Sequence, residues 1–187
     1  MKVTLERYKK SDLKKLKKLY LTAFPAEERA PFFLMMLKTR QGRSEMLTAK
    51  VNGKFVGFVY MVCHGDLAYI FYLAVADKLR GKGIGGKIIA AVKERYRGRR
   101  IFLARERLDE SAGNYAQRVS RRNFYLRCGF SDLPCMIKEA SVVYDVMGIG
   151  GSISAEEYDR LITAWAGRLM RKLVDMRIIE NGEENVN

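Results

Sequence analysis

Eight consecutive residues, Arg80-Gly81-Lys82-Gly83-Ile84-Gly85-Gly86-Lys87, combine four glycines with three cations. They stand between two apolar runs, Tyr69-Ile70-Phe71-Tyr72-Leu73-Ala74-Val75 and Ile88-Ile89-Ala90-Ala91-Val92, which read as a strand and a helix. A glycine-rich turn that opens a helix gathers unpaired main-chain N–H groups and the positive end of the helix dipole at one point. Such a point binds phosphate or pyrophosphate, and the missing Cβ atoms let the ligand approach the main chain closely. Two familiar patterns fit incompletely. Gly81-x4-Gly86-Lys87 is followed by Ile88, so the Ser or Thr that holds magnesium in a P-loop is missing. Gly81, Gly83 and Gly86 satisfy G-x-G-x-x-G, with Glu106 about 20 residues further on. That fingerprint needs its first glycine directly after the strand, and here Ala76-Asp77-Lys78-Leu79-Arg80 intervenes.

A third pattern, Arg80-x-x-Gly83-x-Gly85, resembles the acetyl-CoA signature of the GNAT family of N-acetyltransferases. Other stretches agree with that family in the same order. Leu73-Ala74-Val75 resembles its pantetheine-binding strand, and Phe124-Tyr125-Leu126-Arg127-Cys128-Gly129-Phe130 resembles its F-Y-x-x-x-G-F segment. Ala23-Phe24-Pro25, followed by Glu28-Arg29, is similar to the early acceptor-side helices of some members. The resemblance covers roughly residues 3 to 147. It implies an α+β fold: a mixed, mostly antiparallel central sheet flanked by helices, with a splayed parallel strand pair forming an acetyl-CoA cleft.

The resemblance also implies roles. Leu73, Ala74 and Val75 would bond the pantetheine through their main chain, with an N–H near Val75 facing the thioester oxygen. Arg80, Gly81, Lys82, Gly83, Ile84, Gly85, Gly86 and Lys87 would hold the pyrophosphate. Acetyl transfer to an amine needs a neutral nucleophile, a stabilised carbonyl oxygen and a proton for the leaving thiolate. Tyr125 is the candidate general acid, because the family's tyrosine in this segment points at the CoA sulfur; a phenol near 10 holds its proton at neutral pH. Some members carry a Glu on the central strand, where this chain has Phe71. Glu106 is the substitute candidate base, acting directly, through water, or by orienting the ammonium. A surface ion pair with Arg105 or Arg107 accounts for Glu106 equally well. Many members have an Asn seven residues before the tyrosine, where this chain has Arg118. Arg118, Arg121 and Arg122 are then candidates for the CoA 3′-phosphate or an acidic part of the acceptor.

The elements that must position these residues follow from pattern. Val3 to Arg7 alternates as a strand, and Ser11 is placed to cap a helix carrying Leu13, Leu16, Leu19 and Tyr20 on one face. Lys14, Lys15, Lys17 and Lys18 fall on its wet face. Phe24-Pro25 ends that helix, and Pro31 fits the first turn of the next, to Leu37. Met46 to Val51 and Phe55 to Val62 flank Asn52-Gly53, a hairpin signal. His64-Gly65-Asp66, which holds the only histidine, turns the chain into the strand Leu67 to Val75. Then come a helix from Ile84 to Tyr96, a strand from Arg100 to Ala104 parallel to the previous one, and a helix from Tyr115 to Arg127 capped by Asn114. Met136 to Glu139 and Ser141 to Met147 close the sheet. After the break Gly148 to Gly151, the capping box Ser154-x-x-Glu157 opens a helix with Tyr158, Leu161, Ile162, Trp165 and Leu169 on one face. The expected organisation is a domain over residues 1–147, a helical extension over 148–179 packed on it, and a mobile tail over 180–187.

The 187 residues suit one domain. No apolar run is long enough to span a membrane, and the N-terminus has no apolar signal core. Cys63, Cys128 and Cys135, odd in number and without C-x-x-C spacing, read as reduced packing residues of a cytoplasmic protein. No metal or redox cofactor is implied. The net charge of +14 suits an anionic ligand such as CoA. It is spread over Lys9 to Lys18, Lys78 to Lys87, Arg95 to Arg100, Arg118 to Arg127 and Arg168 to Arg177, and no nucleic-acid motif accompanies it. Solvated surface is the expectation for these runs, the lysines included, with no nucleic-acid or membrane partner. Glu27 and Glu28 could draw in a cationic amine, although surface solvation accounts for them as well. The reading is an N-acetyltransferase that moves acetyl from acetyl-CoA to a primary amine in a ternary complex, the acceptor being a small molecule or a protein amino group. The alternative is a non-catalytic CoA-binding or RNA- or ribosome-associated module.

Overall fold

The computed structural model describes residues 2–139, 141–173 and 175–180, and of Glu27 and Glu180 only the main chain. Eight strands form one sheet in the order β1-β2-β3-β4-β5-β7-β6-β8. They are β1 (Thr4–Arg7), β2 (Glu45–Val51), β3 (Lys54–His64), β4 (Leu67–Val75), β5 (Arg100–Glu106), β6 (Ser131–Glu139), β7 (Val142–Ile149) and β8 (Met176–Glu180). The helices are α1 (Leu13–Ala23), α2 (Phe32–Arg40), α3 (Ile84–Arg95), α4 (Tyr115–Arg127), α5 (Ala155–Ala166) and the single turn α6 (Arg168–Arg171). The sheet is mostly antiparallel with one parallel pair, β4 and β5, as the α+β expectation requires. No described helix is long and apolar enough to cross a membrane. The chain forms two compact units, Met1–Val62 with Ile70–Arg97, and Cys63–Tyr69 with Gly98–Asn187.

In the first unit, β1 pairs antiparallel with β2, and β2 with β3. The β2–β3 hairpin turns on Asn52 and Gly53, with φ of 48° and 73°, the left-handed pair that matches strand twist. Helix α1 buries Leu16, Leu19 and Tyr20, and α3 buries Ile84, Ile88, Ile89 and Val92. The buried core of this unit also includes Met35, Leu47, Phe58 and Tyr60. Ser11 does not cap α1. It lies in a 3₁₀ turn, Lys10–Asp12, and Asp12 precedes the helix. The buried Asp12 carboxylate accepts from the Lys9 N–H at 3.1 Å and lies 3.5 Å from Lys50 Nζ. A hydroxyl could not neutralise that amine. Pro31 stands just before α2, and its carbonyl accepts from the Leu34 and Met35 N–H groups.

In the second unit, the parallel register joins Leu67–Tyr69 to Arg100–Phe102. β5 and β6 both pair antiparallel with β7, and β6 also with β8. The Tyr69 and Phe102 rings stack at 4.5 Å, and the buried Tyr158 of α5 meets both edge-on. The Ser154–Glu157 capping box forms as expected. Arg100, the first residue of β5, spends its guanidinium on both carboxylate oxygens of Asp66, on those of Glu157 and on the Ser152 carbonyl. That fixes the β3–β4 turn and the start of α5 to one strand end.

The chain beyond 147 differs from expectation in three ways. β7 runs through to Ile149, so Gly148 is a strand residue. A Cβ there would stand 2.9 Å from Leu133 Cδ1, so the glycine admits that side chain, and the break starts only after Ile149. Helix α5 stops at Ala166, because Gly167 takes φ of 85°, and Leu169 points to solvent at 85% exposure instead of joining the apolar face. The extension includes a strand, β8, that ends at Glu180; the rest of the expected mobile tail, 181–187, lies outside the described residues.

Gly57 on β3 gives the fold its clearest test. A Cβ built there lies 2.4 Å from the Ala74 carbonyl oxygen of β4 and 3.1 Å from Ile88 Cδ1 of α3. The first of these is main chain and cannot swing aside. Gly57→Ala is expected to destabilise by roughly 1–3 kcal/mol, the usual range for overpacking. The urea midpoint measures it, and an unchanged midpoint would mean that β3 and β4 can separate freely.

Candidate functional site

Past Val75, the Ala76 N–H bonds the Val56 carbonyl, and a 3₁₀ turn over Asp77–Leu79 carries the chain away from β4. Arg80 pairs with Asp77 at 2.8 Å and reaches back to the Val75 carbonyl at 3.4 Å. Gly81 and Gly83 then take φ of 74° and 72°, the left-handed region where a Cβ is strained. Gly83 is the N-cap of α3 and lends no side chain to it, so the first N–H groups of the helix have no cap. The one weak closure is Lys87 N–H to the Gly83 carbonyl at 3.4 Å. A Cβ on Gly81, Gly83 or Gly86 would meet nothing within 4 Å, so the space over the turn is open. Lys82 and Lys87 are exposed beside it, while buried Ile84 anchors the helix start from below. Uncapped donors, a helix dipole and two exposed ammonium groups together can hold a diphosphate. On β4, Ala74 is buried while Leu73 and Val75 are half-buried.

Tyr125 sits in α4, half-buried, its ring tilted on Phe124 at 5.0 Å and edge-on to Phe130 at 5.7 Å. Among the described residues its hydroxyl makes no hydrogen bond. Burial pushes the phenol up to about 12, against the pull of the Arg121 charge. It stays protonated across the pH range in which amines become nucleophilic.

Glu106 is the last residue of β5, not a residue beyond it. Its carboxylate accepts from Asn114 Nδ2 at 2.9 Å and from Arg121, and lies 3.3 Å from Arg118 Nε. Burial by itself would raise this carboxyl. The Asn114 hydrogen bond and the Arg121 and Arg118 charges outweigh it and hold the group below its ordinary value of 4.5. A carboxylate held so is a weak base, which weighs against a general-base role for Glu106. The same pairs occupy the arginines expected at a CoA phosphate. Arg118 also bonds Asn114 Oδ1 and the Arg107 carbonyl, and Arg122 grips Asp132 through two nitrogens. Asn114 precedes α4 as expected, but its side chain serves Glu106 and Arg118 instead of capping. Phe71 packs against Tyr60 and Tyr72, so no carboxylate stands at that point of β4. His64 is exposed at the end of β3.

Two tyrosines had no place in the motif reading. Tyr72 Oη accepts from the Ala30 N–H at 2.9 Å and donates to the Glu28 carbonyl at 2.8 Å, while Tyr20 Oη donates to the Ala30 carbonyl at 2.8 Å. Their rings meet edge-on at 5.1 Å, and Phe24 closes on Tyr72 at 4.8 Å. The segment between α1 and α2 is thereby pinned to β4. The available signal was chemical: a tyrosine in an otherwise apolar run must find a partner for its hydroxyl.

Replacing Glu106 tests its charge state. A depressed carboxyl contributes stability above its unfolded value and loses it as pH falls through the folded value. Glu106→Gln should cost about 1.5–3 kcal/mol near pH 7, the range for hydrogen bonds to charged groups. The gap to the parent should close as pH drops from 5 towards 3. Urea unfolding across that range measures it; a gap independent of pH would mean that the ion pairs are not formed in solution.

The family model for the acetyltransferase (GNAT) domain matches residues 42–132, which include β4, the glycine turn, Glu106 and Tyr125. No curated protein sequence matches the chain. Among solved structures, a Bacteroides thetaiotaomicron protein assigned to the GNAT acetyltransferases superposes with a TM-score of 0.66 at 23% identity, covering 84% of this chain and 92% of that one. A Bacillus subtilis acetyltransferase in complex with CoA gives 0.57 at 16%, covering 80% and 99%. The PaiA N-acetyltransferase of Thermoplasma acidophilum, in complex with coenzyme A, gives 0.55 at 15%, covering 81% and 100%. At these identities the likeness is one of fold.

Proposed function

Because this chain carries a GNAT acetyltransferase domain, we propose that it moves an acetyl group from acetyl-CoA to a primary amine by direct attack in a ternary complex. The observation that carries the reading is the family match across the glycine turn, with its uncapped helix start and open space. In this reading the turn from Arg80 to Lys87 holds the pyrophosphate, and Leu73, Ala74 and Val75 hold the pantetheine by their main chain. The amine nitrogen attacks the thioester carbon, the C–S bond breaks as the amide forms, and the amine's proton leaves to solvent.

Tyr125 serves the leaving sulfur. A phenol at about 12 gives its proton to a thiolate near 8.5 only against an equilibrium of about three to four powers of ten. Its main contribution is therefore a hydrogen bond to the sulfur as charge develops, with full transfer following as product leaves. Glu106, paired with Arg118 and Arg121 and hydrogen-bonded to Asn114, belongs to a cluster of net positive charge; its part in this reading is to fix the end of β5 to α4, not to attract a cationic acceptor. The β6–β8 pairing supports taking the acetyltransferase domain through to Glu180, not ending it at 147. The odd, motif-free cysteines favour a reducing compartment, and we place the reaction in the cytoplasm.

One observation favours the non-catalytic reading: with Phe71 on β4 and Glu106 in ion pairs, no free carboxylate is assigned as base. Free thiol released from acetyl-CoA only when an amine from a panel is present supports catalysis; tight acetyl-CoA binding with no release supports a binding module.

Acetyl-CoA should raise the melting temperature by mass action, and ATP and NAD much less. Gly83→Asp or Gly85→Asp, which sets bulk and negative charge in the turn, should abolish that rise. Unchanged acetyl-CoA affinity in both variants would overturn the cofactor assignment. Tyr125→Phe keeps the ring and removes the hydroxyl. Folding and acetyl-CoA binding should survive while kcat falls roughly 10²-fold, the low end for a positioned acid. Full kcat with chemistry rate-limiting would leave Tyr125 as packing alone.

A further inference from the structure

The basic charges sort into two classes once their partners are seen. The arginines are largely spent within the protein: Arg95 on Glu45, Arg97 on Glu94, Arg100 on Asp66 and Glu157, Arg105 on Asp132 and Asp145, Arg118 and Arg121 on Glu106. The lysines around α1 are not. Lys9, Lys10, Lys14, Lys15, Lys17 and Lys18 are all exposed, and among the described residues none is in an ion pair. The acids of that stretch are turned away from them. Glu6 and Asp12 both face the amine of Lys50, at 3.1 and 3.5 Å. Six positive charges within ten residues are thus left uncompensated.

Their placement adds a second point. Leu16, Leu19 and Tyr20 fill the inward face of α1, so Lys14, Lys15, Lys17 and Lys18 share the outward one. Lys14 has Lys17 and Lys18 as its neighbours three and four residues on, the spacing at which like charges repel. A partner of opposite charge relieves that repulsion, and the surface indicates which kind. The apolar face of α1 is already buried in the protein, so it cannot enter a lipid headgroup region as a membrane-binding amphipathic helix does. Lysines are depleted at protein–protein interfaces, being strongly hydrated and flexible. Their suitable counterpart is a string of phosphates, where counterion release drives binding and no fixed geometry is demanded.

We propose that Lys9, Lys10 and the outward face of α1 form a sequence-independent docking surface for the phosphate backbone of a nucleic acid. It is separate from the glycine turn and does not depend on the acetyl-transfer reading.

The test uses the full chain with a fluorescein-labelled 20-nucleotide single-stranded RNA, and in a second arm a 20-base-pair DNA duplex. Anisotropy is read from 50 to 200 mM salt. Four to six lysine contacts give a log–log slope of roughly −3 to −4 on the single strand, so affinity should drop about 50-fold or more over that range. Replacing Lys14, Lys15, Lys17 and Lys18 together by Gln keeps helix propensity and should reduce the slope by about 3. An unchanged melting temperature without ligand shows that the variant folds. Binding by the parent that is lost in the variant supports the surface. Absence of RNA and DNA binding at 50 mM salt overturns it, as does equal binding by the folded variant. So does capture by phosphatidylserine vesicles or polyglutamate as tight as by nucleic acid, which would reassign the face to a membrane or an acidic protein. If the four-fold variant does not fold, Lys14→Gln with Lys18→Gln is read in the same way, with half the change in slope.

Discussion

A parallel strand pair cannot be closed by a hairpin, and what this protein offers a ligand follows from that restriction. β4 and β5 run parallel, so the chain must leave the C-terminal end of β4 and travel back before β5 can start. It travels back as α3. After the 3₁₀ turn Asp77–Leu79 the start of α3 presents its unpaired N–H groups, and the residues just before it decide whether a ligand can reach them. Here those residues are left-handed glycines with open space above them. A capping Ser or Asp at position 83 would satisfy one donor and fill the space, and the same crossover would then be mere scaffold.

The second constraint is charge. With 35 basic and 21 acidic side chains, the protein cannot neutralise itself, and the acids fall where position matters. Asp66 and Glu157 converge on Arg100, Asp132 and Asp145 on the buried Arg105, and Glu6 and Asp12 on the buried Lys50. The pairs of Arg100 and the Asp12–Lys50 pair tie strands to turns or a helix, and those of Arg105 and the Glu6–Lys50 pair tie strand to strand. Much of the surplus is left as exposed lysines, beside the glycine turn, where Asp77 pairs with Arg80, and along α1. Both are the surfaces proposed to take anions, one built on main-chain donors and the other on side chains alone.

The sequence reveals this architecture unevenly. Periodicity places β4 residue for residue and α4 likewise, and Asn52-Gly53 names its own turn, because those signals are local. The glycine turn was legible for the same reason. β8 was not: Met176–Glu180 is five residues whose strand state depends on β6, distant in sequence. Leu169 followed the helical spacing of Tyr158, Leu161 and Trp165, yet Gly167 breaks the helix before it. Glu106 and the arginines of α4 look like separate candidates along the chain and prove to be partners in space. Tyr20 and Tyr72, 52 positions apart by their numbering, hold one peptide segment between them through groups that no motif marks.

The account stands on a diphosphate seated over the start of α3. Amide-resolved NMR during titration with CoA addresses this directly, because a phosphate oxygen that accepts from an N–H shifts that amide strongly. The account predicts the largest changes at Gly83, Ile84, Gly85, Gly86 and Lys87, reaching saturation together with Leu73, Ala74 and Val75. Saturable CoA binding that leaves the amides from Gly83 to Lys87 unmoved would contradict it.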